Sequence, residues 1–112
     1  MLTHGSRVNS LSVTPDILFP NNNRSDSTAS FTFELNQTSD IVLSIDSTEA
    51  GVEILRKTFP NIPASASAVV QWDGKDNAGE FVAPGGYRIS ISAVDRYGIR
   101  SLPVIAMQRV RY

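Results

Sequence analysis

Between Gly86 and Asp95 the chain reads GYRISISAVD, with apolar and polar residues alternating from Tyr87 to Ala93. Successive side chains of a strand point to opposite faces, so this pattern sets Tyr87, Ile89, Ile91 and Ala93 on one face of a half-buried strand. A helix would scatter the same residues around its circumference. Other runs of the same character recur: Arg7–Thr14, Ala29–Leu35 (ASFTFEL), Asp40–Asp46 (DIVLSID), Val52–Thr58, Ser67–Trp72 (SAVVQW) and Leu102–Tyr112. Clusters of Pro, Gly, Asn and Asp separate them, as turns require. The one stretch that suggests a helix is Ser47–Phe59. Gly51 and the β-branched Val52 and Ile54 count against it, and it reads as a turn over Thr48–Gly51 followed by a strand.

Seven such strands and no helix predict an all-β fold, a seven-stranded antiparallel β-sandwich of immunoglobulin or fibronectin-III-like kind, over residues 7–112. Residues 1–6 read as a tail or linker. Two strands carry more detail. In Arg7–Thr14 the alternation slips: Val8 and Ser10 share one face, Leu11 and Val13 the other, as in an edge strand that bends, and Pro15 ends it. In the last strand Arg109 and Arg111 share one face, and Gln108, Val110 and Tyr112 the other.

The 112 residues suit one domain, and 41% hydrophobic residues can fill one core. No apolar run approaches the ~20 residues of a membrane-spanning helix, so membrane insertion is not expected. With a formal net charge of −1 and charges of both signs interspersed, no basic stripe offers itself to nucleic acid. There is no cysteine and only one histidine, His4, in the tail. Disulfides, thiolate metal sites and the usual nucleophile–base pairs are therefore out of reach. Glu34, Asp46, Glu49 and Glu53 are the carboxylates available for an acid–base pair, but they fall on outward strand faces and turns and read as solvated surface. A non-enzymatic role is expected. The opening MLTHGSRVNS lacks the charged-then-apolar pattern of a signal peptide. Either the chain is cytoplasmic or it is a piece of a longer exported protein.

Motifs favour the second. From Trp72 to Gly98 the sequence reads WDGKDNAGEFVAPGGYRISISAVDRYG. Asp73-Gly74, Asn77-Ala78-Gly79 and Pro84-Gly85-Gly86 are turn formers, set between a core Trp and the Tyr that opens the next strand. Trp72, Asp73, Gly74, Asp76, Gly79, Pro84, Gly86 and Tyr87 together resemble the immunoglobulin-like domain of the bacterial flagellar hook-capping protein. The resemblance extends upstream to Phe19-Pro20-Asn21-Asn22-Asn23-Arg24-Ser25-Asp26 and the strands after it, over about residues 13–112. Here the sequence departs from the family pattern: two family glycines are Asn22 and Arg24, and the middle Asp is Asn23. The resemblance implies a non-catalytic module, such as recurs at the C-termini of secreted and surface proteins of bacteria. It implies an extracytoplasmic home within a longer precursor, and a role in docking, spacing or assembly at the cell envelope. Its partner would be the rest of the parent chain or a neighbouring envelope protein. The alternative is an accessory carbohydrate- or surface-binding module of a secreted enzyme.

In a sandwich of this topology the loop after the first strand, NNNRSD, and the loop after the fifth, DGKDNAG, fall at one pole. Asn21, Asn23, Asp26, Asp73, Asp76 and Asn77 then supply oxygens of the kind calcium takes. The competing reading is that these side chains cap their own turns, with Lys75 and Arg24 neutralising the carboxylates. The spacing is not that of an EF-hand. No cofactor is expected, and calcium is the one candidate. The last loop, RYGIRS, with Arg96, Tyr97 and Arg100, is the candidate docking loop, since binding concentrates in such loops.

Overall fold

The computed structural model describes residues 6–20 and 27–112. Eight strands are present among them: β1 Val8–Thr14, β2 Ile17–Leu18, β3 Ala29–Leu35, β4 Ser39–Ser47, β5 Glu53–Ile62, β6 Ser65–Trp72, β7 Gly85–Val94 and β8 Val104–Val110. They form two sheets, a three-stranded one ordered β1-β3-β6 and a five-stranded one ordered β2-β8-β7-β4-β5. The alternations read from the sequence face the core as expected. Phe31, Phe33 and Leu35 of β3, Ile41, Leu43 and Ile45 of β4, and Tyr87, Ile89, Ile91 and Ala93 of β7 are all buried.

The strand count is eight rather than seven because the first strand divides at Pro15. β1 pairs antiparallel with β3 in the small sheet, while β2 pairs parallel with β8 in the large one. Proline has no N–H to continue a ladder, so the chain leaves one sheet there and joins the other. The slip in alternation is a bulge: the β1–β3 register shifts between Asn9 and Ser12, and Ser10 has a φ of 59°. Gln108 fastens the crossover. It is buried in the middle of β8, and its Nε2 donates to the carbonyls of Pro15 at 3.0 Å and Asp16 at 2.9 Å. Its Oε1 has no protein partner among the described residues.

β5 also runs further than its sequence suggests, through Pro60 to Ile62. β5 is the edge of its sheet, where a missing N–H leaves no ladder bond unmade. Three strands face five, and the inward side of the edge strand β5 is only partly covered. Its Leu55, Lys57 and Phe59 lie opposite Ile45, Leu43 and Ile41 of β4. Those three β4 residues are fully buried, whereas Leu55 and Phe59 are only half-buried and Lys57 is exposed. Ser6, at the end of the segment read as a tail, is buried, and its hydroxyl is hydrogen-bonded to that of Ser39.

Candidate functional site

One pole is built by the β6–β7 connection. Trp72 is 2% exposed at the end of β6 and meets Tyr87 of β7 edge to face, ring centroids 5.9 Å apart. Its Nε1 donates to the carbonyl of Lys75 at 2.8 Å, which turns the chain back over the ring. The connection then folds as a small hairpin. Lys75 bridges Phe81, the N–H of Val82 donates to Gly74 O at 2.9 Å, and the N–H of Asp76 donates to Glu80 O at 2.9 Å. Asp73 Oδ1 accepts the N–H of Lys75 at 3.1 Å, and Asp76 Oδ1 accepts those of Ala78 and Glu80 at 2.9 and 3.1 Å. The tip reaches across the sandwich: Asn77 N–H donates to Ile54 O at 3.1 Å, and its Oδ1 accepts Arg56 N–H at 3.2 Å.

Gly74 shows why this motif needs a glycine. Its φ is +81°, and an added Cβ would lie 2.5 and 2.6 Å from the Pro20 ring. The two connections read as neighbours therefore touch, through Pro20 and Gly74. Asn21, Asn23 and Asp26 lie outside the described residues, as does Arg24. Among the described residues no three His, Cys, Asp or Glu side chains gather as a metal site. Pro84 precedes the turn into β7, and Gly86 O accepts from both the N–H and the hydroxyl of Thr48, at 3.1 and 3.0 Å. The hydroxyl of Tyr87 donates to Ala83 O, and that of Tyr112 to Val82 O. Burial raises both phenols above their ordinary pKa; for Tyr87, Tyr112 and the Glu49 carboxylate nearby add to it.

At the other pole the β7–β8 loop repeats the hairpin tip. Asp95 N–H donates to Ile99 O, Gly98 N–H to Asp95 O, and Asp95 Oδ1 accepts from Tyr97 and Ile99 at 2.9 and 3.0 Å. Asp76 and Asp95 thus play one role, and Gly79 and Gly98 share a φ of 81°. The sequence reading missed Asp95, although Asp-x-x-Gly stands at both places. Arg96 stacks on Tyr97, its guanidinium carbon 5.0 Å from the ring centre and its Nη2 donating to the hydroxyl at 3.0 Å. Arg100 is exposed and bridges Val94. Beside this loop lies an open cleft of about 740 Å³, lined by Gln37, Asp40, Asn61, Asp95, Arg96 and Tyr97 among others.

Of the four carboxylates considered for acid–base work, Asp46 and Glu53 stand opposite one another on β4 and β5, but each is taken up by an arginine. Glu34 is exposed on β3. Asp46 pairs with Arg88 at 3.1 Å and Glu53 with Arg56 at 2.8 Å, which holds the Glu53 carboxyl below its usual pKa. Glu49 lies over Gly85.

A family description, the FlgD Ig-like domain, matches residues 20–96, well over half of the chain. The chain belongs to the FlgD Ig-like domain family. The match takes in the Trp72–Tyr87 block and its hairpin. No curated protein matches the sequence. Among solved structures, FlgD from Xanthomonas campestris, described for hook capping in flagellar assembly, is 25% identical with a TM-score of 0.55. That likeness covers 72% of this chain and 58% of FlgD. Dimeric latent PorU from Porphyromonas gingivalis aligns over 96% of the chain and 10% of its own length, at 13% identity and a TM-score of 0.71. A family 76 glycoside hydrolase from a bovine Bacteroides thetaiotaomicron strain covers 91% of the chain and 20% of its own length, at 15% identity and a TM-score of 0.60. These last two show a shared fold. The chain spans a small part of both and just over half of FlgD.

Proposed function

We propose that this FlgD Ig-like domain is a non-catalytic docking module of a larger exported bacterial protein, acting at the cell envelope. Its partner is the rest of the parent chain or a neighbouring envelope protein. Family membership supports the reading, as does the occurrence of similar domains inside longer chains. One observation carries it. Tyr97, Ile99, Leu102, Ile105 and Met107 are large apolar side chains left exposed between positions 97 and 107, Leu102 at 88%. Ile105 and Met107 stand opposite Ser90 and Arg88 on the outer face of the large sheet. Apolar surface concentrated in this way is a mark of an interaction site.

The test is photo-crosslinking in the parent protein, with a benzophenone amino acid at Tyr97, at Met107, or at Glu34 on the other sheet. A discrete adduct from positions 97 and 107, absent from position 34, is the expected result. Equal labelling from all three, or none from the first two, sinks the proposal. A second reading has one observation in its favour: Tyr97 stands as an aromatic beside a cleft whose Asp40, Asn61 and Gln37 present polar groups, as a sugar would require. Titration with envelope polysaccharide, read against Tyr97→Ala, separates the two.

A further inference from the structure

The open cleft at the β7–β8 pole is walled by three separate parts of the chain: the approach to β4 from Gln37 to Asp40, Asn61 near the end of β5, and the loop from Val94 to Gly98. These walls are held from behind. On β5, Pro60 and Asn61 stand opposite Asp40 alone, a bulge visible as the register shift between Ser39 and Ile41. Asn61 takes a φ of 54° there, and its N–H donates to Asp40 Oδ1 at 3.0 Å. Asp40 pairs in turn with Val94 of β7. The Ser39 hydroxyl donates to Gln37 O at 2.9 Å, and Asp95 Oδ1 holds the N–H of Tyr97. Groups fixed in this way lose little freedom when a ligand enters. The cleft's volume of about 740 Å³ falls within the roughly 300–1,000 Å³ of small-ligand pockets.

Its charges narrow the choice of ligand. Asp95 is buried, and its Oδ1 takes two amides of its own turn. That leaves Asp40 and Arg96, one of each sign. Only Oδ1 of Asp40 is engaged among the described residues, so Oδ2 is open to accept. The ion pairs among the described residues are Arg56–Glu53 and Arg88–Asp46, so Arg96 has no carboxylate of its own. An anion entering here would meet Asp40, and a cation would meet Arg96; the pair selects against both. It favours a neutral molecule that donates and accepts at adjacent positions. Neighbouring hydroxyls on a sugar ring do this, since each is donor and acceptor, and planar carboxylate, amide and guanidinium groups can bond two of them at once. Tyr97 adds an apolar surface. It is 67% exposed, and Arg96 stacks on its ring at 5.0 Å while bonding its hydroxyl at 3.0 Å. The opposite ring face, electron-rich, suits the C–H face of a sugar.

We infer that this cleft binds a neutral pyranose sugar through two adjacent hydroxyls. Asp40 Oδ2 accepts from the pair, Asn61 and Arg96 bond the hydroxyls beside it, and Tyr97 lies against the C–H face of the ring. This names the ligand of the sugar-binding reading of Tyr97 and rests on that reading; the docking face of β8 stands without it.

The test titrates the whole domain with linear trisaccharides of mannose, glucose and galactose, and with two charged counterparts, trigalacturonic acid and the glucosamine trimer, followed by amide chemical shifts. At least one neutral trisaccharide should saturate, moving the amides of residues 37–40, 61 and 94–98. Both charged trimers should bind about tenfold more weakly or worse. Asp40→Asn keeps an oxygen for the Asn61 N–H, and with it the unfolding temperature, but trades a charged acceptor for a neutral one and weakens binding about tenfold. Glu34→Gln, on the other sheet, changes nothing. A charged trimer that binds as tightly as the neutral ones, in the same cleft and lost in Tyr97→Ala, overturns the neutral-sugar assignment and leaves the sugar-binding reading standing. No saturable binding of any of these probes defeats both. Full affinity in Asp40→Asn, or shifts that fall on β8 rather than around the cleft, likewise overturns the inference.

Discussion

Gly74→Ala tests the contact between the two connections at the Trp72 pole. The alanine would have to hold a φ of +81°, a left-handed conformation that costs an L residue about 1–2 kcal/mol. Its Cβ would also stand 2.5 and 2.6 Å from Pro20 carbons, about 1 Å inside ordinary contact. Pro20 is itself buried, and the fully buried Leu18 lies 3.5 Å from the same Cβ, so the added methyl has no open space to enter. Such overpacking costs about 1–3 kcal/mol. The sum, about 2–5 kcal/mol, is a large share of the stability of a domain this size and lowers Tm by roughly 8–20 °C. Gly79→Ala is the control: the same φ of 81°, with nothing within 4 Å of the added Cβ. Chemical denaturation followed by circular dichroism gives both values, and effects on the unfolded chain cancel in the difference. Gly74→Ala should be the worse by the contact cost, and Pro20→Ala should recover part of it. Equal losses for the two glycines, or no recovery, would refute the reasoning.

Trp72→Ala removes the edge-to-face contact with Tyr87 and the bond to Lys75 O, and should cost about 3–5 kcal/mol in urea unfolding. A variant as stable as the parent would mean that the ring is not in the core. Alkaline pH should destabilise the fold. The Tyr87 and Tyr112 phenols have folded pKa values raised above the unfolded value near 10, so their contribution is complete below about pH 10 and is lost as pH climbs through the raised values. Denaturation midpoints at pH 8 and pH 11 measure the loss, which Tyr112→Phe should reduce. Calcium against a chelator should leave Tm unchanged, because Asp73 and Asp76 each accept amides of their own turns. A stabilisation near 2.7 kcal/mol at a hundredfold excess over Kd, lost in Asp26→Asn with Asp76→Asn, would assign these loops to a cation instead.

The strands that sequence reveals best are those with one face in the core, because burial enforces the period of two. β3, β4 and β7 are of this kind, and each buries the residues that its alternation names. β2 is invisible for the opposite reason. Its two residues are too few for a period, and Pro15 before it reads as an end, not as a change of sheet. The true end of β5 is hidden in the same way: whether a strand can run through Pro60 depends on whether it is an edge, and pairing partners are not written in a local pattern. At the Trp72 pole the turn residues were legible one by one. That they close a hairpin whose tip hooks β5 was not, since Asn77 meets Ile54 and Arg56 only through tertiary contact.

The crossover at Pro15 governs how the domain bears load. A pull on both ends draws β2 toward its N-terminal side and β8 toward its C-terminal side. The two strands run parallel, so they are dragged past one another along a common axis. The bonds from Arg109 N–H to Asp16 O and from Arg111 N–H to Leu18 O, together with the Gln108 amide on Pro15 O and Asp16 O, are then sheared side by side. They share the force and must fail together, whereas an antiparallel hairpin peeled from one end opens bond by bond. Within a longer chain under tension, the short parallel pair and its buried glutamine act as a clasp that keeps both sheets closed while force passes through the module.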